Sequence, residues 1–232
     1  MRIAKRIVLL MLALTIIVGG CGCRMRTNSK NRKENTQGKI IASMREHLDD
    51  KYGYIDYEIE GFIGAGWDPY DLLNLSTEID GVKESFHVER HKTDNGYEFY
   101  DNYFGLVIRD AFEEKVYEKV KNFFEDCKVF CHMQTTNYSN MLGKESTLED
   151  LLEVKTDMSH IIIMVIVNET FQNEEVFMEQ AKKFINSWKE EGIKTFMRIF
   201  YVNADGYEML EKNNCGEIIN NYLIKDYQEV IE

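Results

Sequence analysis

The stretch "HIIIMVIVN", His160 to Asn168, decides the fold of this chain. It is continuously apolar between its two ends and rich in β-branched residues, which is typical of a strand covered on both faces. We therefore predict a central strand here. A helix is expected from Asn173, its N-cap, to Glu191, because apolar residues recur there at helical spacing. A further strand from Lys194 to Val202 completes a strand–helix–strand alternation.

Upstream of the central strand, the apolar period predicts an antiparallel meander between two helices. The predicted elements are a helix over residues 40–52, strands over 55–60, 73–79, 86–88 and 97–100, a helix over 103–125 and a strand over 127–133. Short helices are expected to finish the chain. The order predicts an α+β fold, in which the antiparallel meander is followed by strand–helix alternation and a mixed sheet is packed by two long amphipathic helices.

Composition and charge restrict the class of protein. The chain has 232 residues, 44% of them apolar and 29% charged, which is ordinary for a globular protein. Residues 1–39 carry a net charge of +8 and residues 40–232 carry −20. A body this acidic is unsuited to nucleic acid, because binding there works by neutralising phosphates with Lys and Arg. We therefore expect no nucleic-acid partner.

The N-terminus has the order of a secretory signal peptide. Arg2, Lys5 and Arg6 precede an apolar run that ends in small residues. The segment Val18-Gly19-Gly20-Cys21 resembles the bacterial lipobox, which is an aliphatic residue, two small residues and an obligatory Cys. The resemblance covers about the first 21 residues. It implies that Cys21 carries a diacylglyceryl group and becomes the first residue of the mature protein.

A signal anchor is the alternative for this segment. Ile7 to Cys23 is 17 residues without a charge, at the lower limit of a membrane span. The flank after it is more basic than the flank before it, which would leave the body in the cytoplasm. The run ends in two glycines and a cysteine, which suit a peptidase better than a helix. The lipobox is therefore the preferred interpretation.

The lipobox divides the chain into three parts. Residues 1–20 are the expected signal peptide and 21–38 a flexible basic tether, since they lack apolar periodicity and can touch anionic head groups. Residues 39–232 form the acidic α+β domain, either as one domain or as two halves that meet near residue 126. Past the lipobox the body is similar in style to uncharacterised small surface lipoproteins of Gram-positive bacteria.

The loop "GAGWDPYD", Gly64 to Asp71, is the candidate ligand site. It carries Trp67, Asp68 and Tyr70, and aromatic rings beside carboxylates can stack on a sugar and accept its hydrogen bonds. The simpler alternative is a turn whose Trp67 covers the edge of the core. The loop does not fit a phosphate-binding fingerprint, because a third glycine and a following helix are absent.

"HVERH", His87 to His91, resembles a scrambled zinc-binding HExxH motif. Because the segment alternates like a strand, residues four apart lie roughly 13 Å apart, too far for two ligands of one zinc ion. His87, Glu89 and His91 would instead line the polar face opposite Phe86 and Val88. We expect no metal site and no cofactor.

Three cysteines in the body, Cys127, Cys131 and Cys215, give little evidence of a disulfide framework. Cys127 and Cys131 would lie on one strand, farther apart than the ~7 Å between Cα atoms that a disulfide allows. We expect them to pack as small apolar groups. One long-range bridge remains open in an exported protein.

The sequence thus favours a binding or accessory protein, lipid-anchored on the extracytoplasmic face of the cell membrane. Its partners would be the membrane, through the anchor and the tether, and an envelope protein or glycan. Two alternatives stay open: an envelope enzyme acting on glycan or peptide, and a signal-anchored protein with a cytoplasmic body. The catalytic residues of such an enzyme cannot be named from the sequence.

Overall fold

The computed structural model describes residues 36–154, 158, 160–171 and 173–231. The predicted signal peptide, the predicted lipobox with Cys21 and most of the predicted tether lie outside the described residues. The chain divides into two units, residues 1–46 and 47–232. The described part of the first unit is helical, and Ser43 Oγ donates to the carbonyl of Ile40 at 2.8 Å. This helix, α1, spans 36–52 and ends before Gly53, whose φ of 72° favours glycine.

The first sheet of the second unit is an antiparallel meander, as predicted. Its strands are β1 (Glu58–Ile63), β2 (Tyr70–Ile79), β3 (Val82–Thr93) and β4 (Gly96–Asp101), paired in the order β1-β2-β3-β4. Asp80 and Gly81 join β2 to β3 with φ values of 52° and 77°. Two positive φ values match the twist of the flanking strands, which is why Asp-Gly suits this hairpin.

The two faces of the first sheet differ because side chains alternate along each strand. One face is the core face, where Leu73, Leu75, Phe86 and Val88 are at most 3% exposed. The opposite, polar face carries His87, Glu89 and His91, which confirms the strand interpretation of "HVERH". We call this polar surface the outer face.

A long helix, α2 (Phe104–Val120), follows the meander. Its buried side chains recur every four residues in one stripe, namely Phe104, Ile108, Phe112, Val116 and Val120. The prediction extended this helix to residue 125, whereas the structure ends it at Val120 and turns over residues 121–123. Phe124 is buried from the connection rather than from the helix.

The second sheet is mixed and contains the central strand. Its strands are β5 (Cys127–His132), β6 (Ile162–Asn168), β7 (Thr195–Val202) and β8 (Leu223–Ile231), paired in that order. β6 and β7 are parallel, and the other two pairs are antiparallel. Except for Ile162, every residue of β6 is buried, as "HIIIMVIVN" predicted.

The helices of the second half include α3 (Leu148–Glu153), α4 (Glu174–Lys189), α5 (Ala204–Glu208) and α6 (Cys215–Tyr222). α4 joins the parallel strands and is capped by Asn173, whose side chain accepts from the amide of Val176. Trp188 of α4 is fully buried, and its Nε1 donates to Thr195 Oγ1 of β7 at 3.2 Å. These contacts confirm the strand–helix alternation and the mixed α+β class.

The C-terminus departs from the prediction. Two short helices are present, but the chain then continues into β8, a strand of nine residues at the edge of the sheet. Within the described ranges, no helix is long and apolar enough to cross a membrane.

Candidate functional site

The outer face gathers polar and aromatic side chains from three strands. Its members are Tyr70, Leu72 and Asn74 of β2, His87, Glu89 and His91 of β3, and Glu98 and Tyr100 of β4. The strand register places them in rows across the sheet. Tyr70 lies opposite His91 and Leu72 opposite Glu89, while on the other side of β3 His91 lies opposite Glu98 and Glu89 opposite Tyr100. This alignment brings together one tyrosine of the predicted site and the three residues of "HVERH".

Hydrogen bonds fix the tautomer of His87. Asn102 Oδ1 accepts the backbone amide of His87 at 2.7 Å, so its Nδ2 is the donor toward Gln134 O at 2.6 Å. The same Nδ2 lies 3.1 Å from His87 Nδ1, which must therefore accept. A proton on Nε2 then faces Asn137 Oδ1 at 3.0 Å.

Glu89 lies between the two histidines of this motif. Its Oε2 is 2.7 Å from His91 Nε2, and its Oε1 is 3.5 Å from His87 Nε2. Its side chain is 14% exposed, whereas those of His87 and His91 are 27% and 31% exposed. The carboxylate is therefore shielded by imidazoles that are themselves open to solvent.

Two tyrosines flank His91 on either side. The ring of Tyr70 stacks on His91 at 4.8 Å, and Tyr100 meets His91 edge-on at 5.0 Å. The charge of Glu89, and then that of Asp68, raise the pKa of Tyr70. The hydrogen bond to Glu98 does most to raise the pKa of Tyr100. Both phenols thus remain protonated at neutral pH, and Tyr100 donates its hydroxyl proton to Glu98 Oε2 at 2.9 Å.

The loop that carries Trp67 is held from the core face. Asp71 Oδ1 accepts the amide of Ala65 at 2.9 Å, and its Oδ2 accepts Nε and Nη2 of Arg90 at 2.9 and 2.7 Å. Arg90 also covers the ring of Tyr97 at 4.1 Å. Trp67 itself is fully exposed. The alternative in which Trp67 covers the core edge is therefore wrong.

The predicted ligand residues come together in part. Asp68 is close enough to Tyr70 for its charge to raise the pKa of the phenol, and Tyr70 joins the outer face. Trp67 extends into solvent from the same loop. Their role in binding stays a prediction. Across the described part of the chain, no group of three or more His, Cys, Asp or Glu side chains is arranged to hold a metal ion.

The described cysteines are free thiols. Cys127, Cys131 and Cys215 are each at most 8% exposed, which confirms the prediction that Cys127 and Cys131 pack as apolar groups. Burial, followed by the charge of Asp126, raises the pKa of Cys127 to about 12. Burial also raises the pKa values of Cys131 and Cys215. These thiols are poor nucleophiles at neutral pH.

A cleft of about 560 Å³ lies where the parallel strands of the second sheet end. Carboxyl ends of parallel strands are a common ligand site in α/β proteins. Its lining is dominated by the carboxylates of Glu169, Glu174 and Glu175, beside Tyr201. This cleft and the clefts of about 310 and 490 Å³ do not include Trp67, Asp68 or His87.

The sequence did not reveal a buried charge cluster around Asp101. The carboxylate is fully buried, and its Oδ2 meets His47 Nε2 at 3.0 Å and Lys51 Nζ at 2.7 Å. Its Oδ1 accepts the hydroxyl of Tyr52 at 2.7 Å and the amide of Tyr103 at 3.1 Å. The spacing of His47, Lys51 and Tyr52 on one helix was the available signal.

Comparison of the chain with protein-family models, with curated proteins and with solved structures gives no significant match. The function is therefore inferred from the residues and the geometry alone.

Proposed function

We propose that the chain is a lipid-anchored protein on the extracytoplasmic face of the membrane that binds an envelope glycan through its outer face and Trp67. The single observation that carries the binding function is the fully exposed indole of Trp67 on a loop anchored by Asp71. Because the indole is already exposed, binding breaks few contacts within the protein and buries additional area of the ring. This is why Trp is enriched in recognition sites.

The chemistry of the outer face supports a sugar as the ligand. Tyr70 offers a phenolic donor, the hydroxyl oxygen of Tyr100 can accept because its proton goes to Glu98, and the carboxylate of Glu89 can accept hydrogen bonds from sugar hydroxyls. Trp67 supplies an apolar face on which a sugar ring stacks. Binding is favoured over hydrolysis because these side chains lie on a sheet surface that remains open to water, whereas catalysis by a carboxylate benefits from a closed site.

The binding test uses insoluble cell-wall glycan and the full chain in detergent micelles. Co-sedimentation of the wild-type protein is expected, with at least about a tenfold loss of affinity for Trp67→Ala, because burying a large apolar side chain contributes about 1.5–3 kcal/mol. Tyr54→Ala is the matched control, since Tyr54 is also exposed (89%) but lies in another loop. Equal binding by wild type and Trp67→Ala would contradict a glycan site at this loop.

The lipid anchor is tested at the two N-terminal cysteines. Cys21→Ser is expected to block lipidation and cleavage, whereas Cys23→Ser leaves both intact because no aliphatic residue stands three places before Cys23. A mass spectrum of the mature protein should show a lipid-modified Cys21 at its N-terminus. An uncut Met1 in the wild-type protein, with a body protected from protease on whole cells, would instead indicate the signal anchor.

A further inference from the structure

Three of the four sheet edges are protected from pairing with another strand. β1 is short and carries a register shift between Ile59 and Gly61. The outer edge of β4 is covered, because the amide of Tyr138 donates to the carbonyl of Asp101 at 2.9 Å and Asn140 Nδ2 donates to that of Phe99 at 2.8 Å. Bulges, short strands and covering loops are the usual protections of a sheet edge.

The edge of the second sheet at β5 is also protected. Glu113 of α2 accepts the amide of Cys131 at 2.8 Å through its Oε1, so an outward N–H of this strand is already bonded. β8, at the other edge, is nine residues long and contains neither Pro nor Gly. Its one register shift lies at its start, between the pairs Tyr201–Lys225 and Val202–Leu223, so residues 225–231 form a regular edge. No strand within the described ranges pairs with its outer side. Leu223 and Val230 are 41% and 57% exposed.

The sequence of β8, "LIKDYQEVI", is complementary to itself. When two copies pair antiparallel about a two-fold axis, each face of one sheet continues into the same face of the other. Directly opposed residues then have their side chains on the same face, and their two residue numbers add up to an even number. Within the regular part of the strand, an axis at Tyr227 places Lys225 opposite Glu229 and Asp226 opposite Gln228. An axis at Asp226 would oppose two carboxylates, and one at Gln228 would place Lys225 against Ile231.

We propose that β8 pairs with β8 of a second copy about an axis at Tyr227, so that the two second sheets form one sheet of eight strands. Lys225 is exposed and joins no ion pair among the described residues. It therefore approaches Glu229 of the partner copy without losing an intramolecular contact. The hydrogen bond from Lys189 lowers the pKa of Glu229, which keeps this carboxylate ionised.

The charge pairs give a test with an internal rescue. Sedimentation of the full chain in detergent micelles should show two copies per particle. The symmetric dimer contains the pair of residues 225 and 229 twice. Lys225→Glu turns both pairs into two facing carboxylates, and Glu229→Lys turns both into two facing ammonium groups. Each variant is therefore expected to weaken association by at least about tenfold. A mixture of the two variants restores both attractive pairs and should return association close to that of the wild type. Lys182→Glu, the same charge change at an exposed position of α4, is the control and should not weaken it.

Cysteine cross-linking tests the position of the axis. Tyr227→Cys places two thiols directly opposite each other, where side chains are about 4.5–5.5 Å apart, and should form an intermolecular disulfide. Ile224→Cys places its two thiols roughly 20 Å apart and should not. A wild-type monomer, a mixture no better than either variant, or equal cross-linking at the two positions would each overturn the proposal. Association that neither charge variant changes would show that the copies meet elsewhere, for instance through their anchors.

Discussion

Asp101→Asn is the substitution with the clearest expected cost. The amide keeps an oxygen for Tyr52 and the amide of Tyr103, but its NH₂ group then faces the ammonium group of Lys51 as donor against donor. Lys51 is only 6% exposed and its Nζ lies 2.7 Å from the carboxylate. The substitution therefore leaves a buried ammonium group without its counter-charge.

The magnitude follows from the loss of one partner of a buried pair. Removing one member of such a pair costs about 3–5 kcal/mol, and a hydrogen bond to a charged group contributes about 1.5–3 kcal/mol. We expect Asp101→Asn to lower the free energy of unfolding by about 3–5 kcal/mol. Lys51→Met keeps an apolar stem and leaves Asp101 with its other three donors, so about 1.5–3 kcal/mol is expected. The double variant leaves neither charge of the pair behind. Its loss of unfolding free energy should therefore be about 2 kcal/mol smaller than the sum of the two single losses.

The assay is equilibrium unfolding in urea at pH 7, followed by circular dichroism. Asp50→Asn, an exposed carboxylate on the same helix, is the control and should change stability by no more than about 0.5 kcal/mol. Additive losses in the double variant would refute the pairing of Asp101 with Lys51. A loss of unfolding free energy below about 1 kcal/mol for Asp101→Asn would also refute it, because the carboxylate could then not be compensating a buried charge.

Three further predictions concern pH, thiol chemistry and close packing. Burial raises the pKa of Asp101, but the hydrogen bond from His47 and the charge of Lys51 outweigh it and hold the pKa below its usual value. The stabilisation by Asp101 is therefore complete above about pH 4 and is lost as the pH falls through the folded pKa. Asp101→Asn should consequently make the free energy of unfolding less dependent on pH in acid. Cys127, with about 10⁻⁴ of its thiol ionised at pH 8, should resist iodoacetamide until urea unfolds the chain, as peptide mass spectra would show. A Cβ at Gly206 would lie 2.4 Å from Cβ of Tyr222, so Gly206→Ala should cost about 1–3 kcal/mol in the same unfolding assay, whereas Gly216→Ala meets nothing within 4 Å and should be neutral or slightly stabilising.

The spacing of apolar residues along the sequence predicted those strands and helices whose buried positions follow a regular pattern. The strand Ile162–Asn168 was evident because both of its faces are covered, and α4 because one stripe is buried and the rest is polar. β8 was missed because it lies at an edge, where Lys225, Asp226 and Gln228 stand among the apolar residues and dilute the alternation. An edge strand buries too little surface to leave a clear pattern.

The candidate site was harder to predict because it depends on pairing between strands. Tyr70 and His91 are 21 positions apart, and only the register of β2 with β3 makes them neighbours. Composition identified Trp67 and its loop, yet the loop is anchored by Asp71, whose carboxylate is in turn held by Arg90 on another strand. The charge cluster at Asp101 likewise joins α1 to β4 across some 50 residues. Contacts between residues this far apart in the sequence leave no trace in the local spacing of apolar residues.

The alternation of β2 and β3 also bears on how the outer face can bind. Asp71 and Arg90, which hold the Trp67 loop, point to the core face, and their sequence neighbours Tyr70, Glu89 and His91 point outward. The side chains that would contact a ligand are therefore positioned by the same strands that carry the core. Binding should order few additional rotamers apart from the free indole, so the entropic cost of association stays small. Under the proposed function, a surface of this kind would stack against the C–H face of a sugar ring without closing around it.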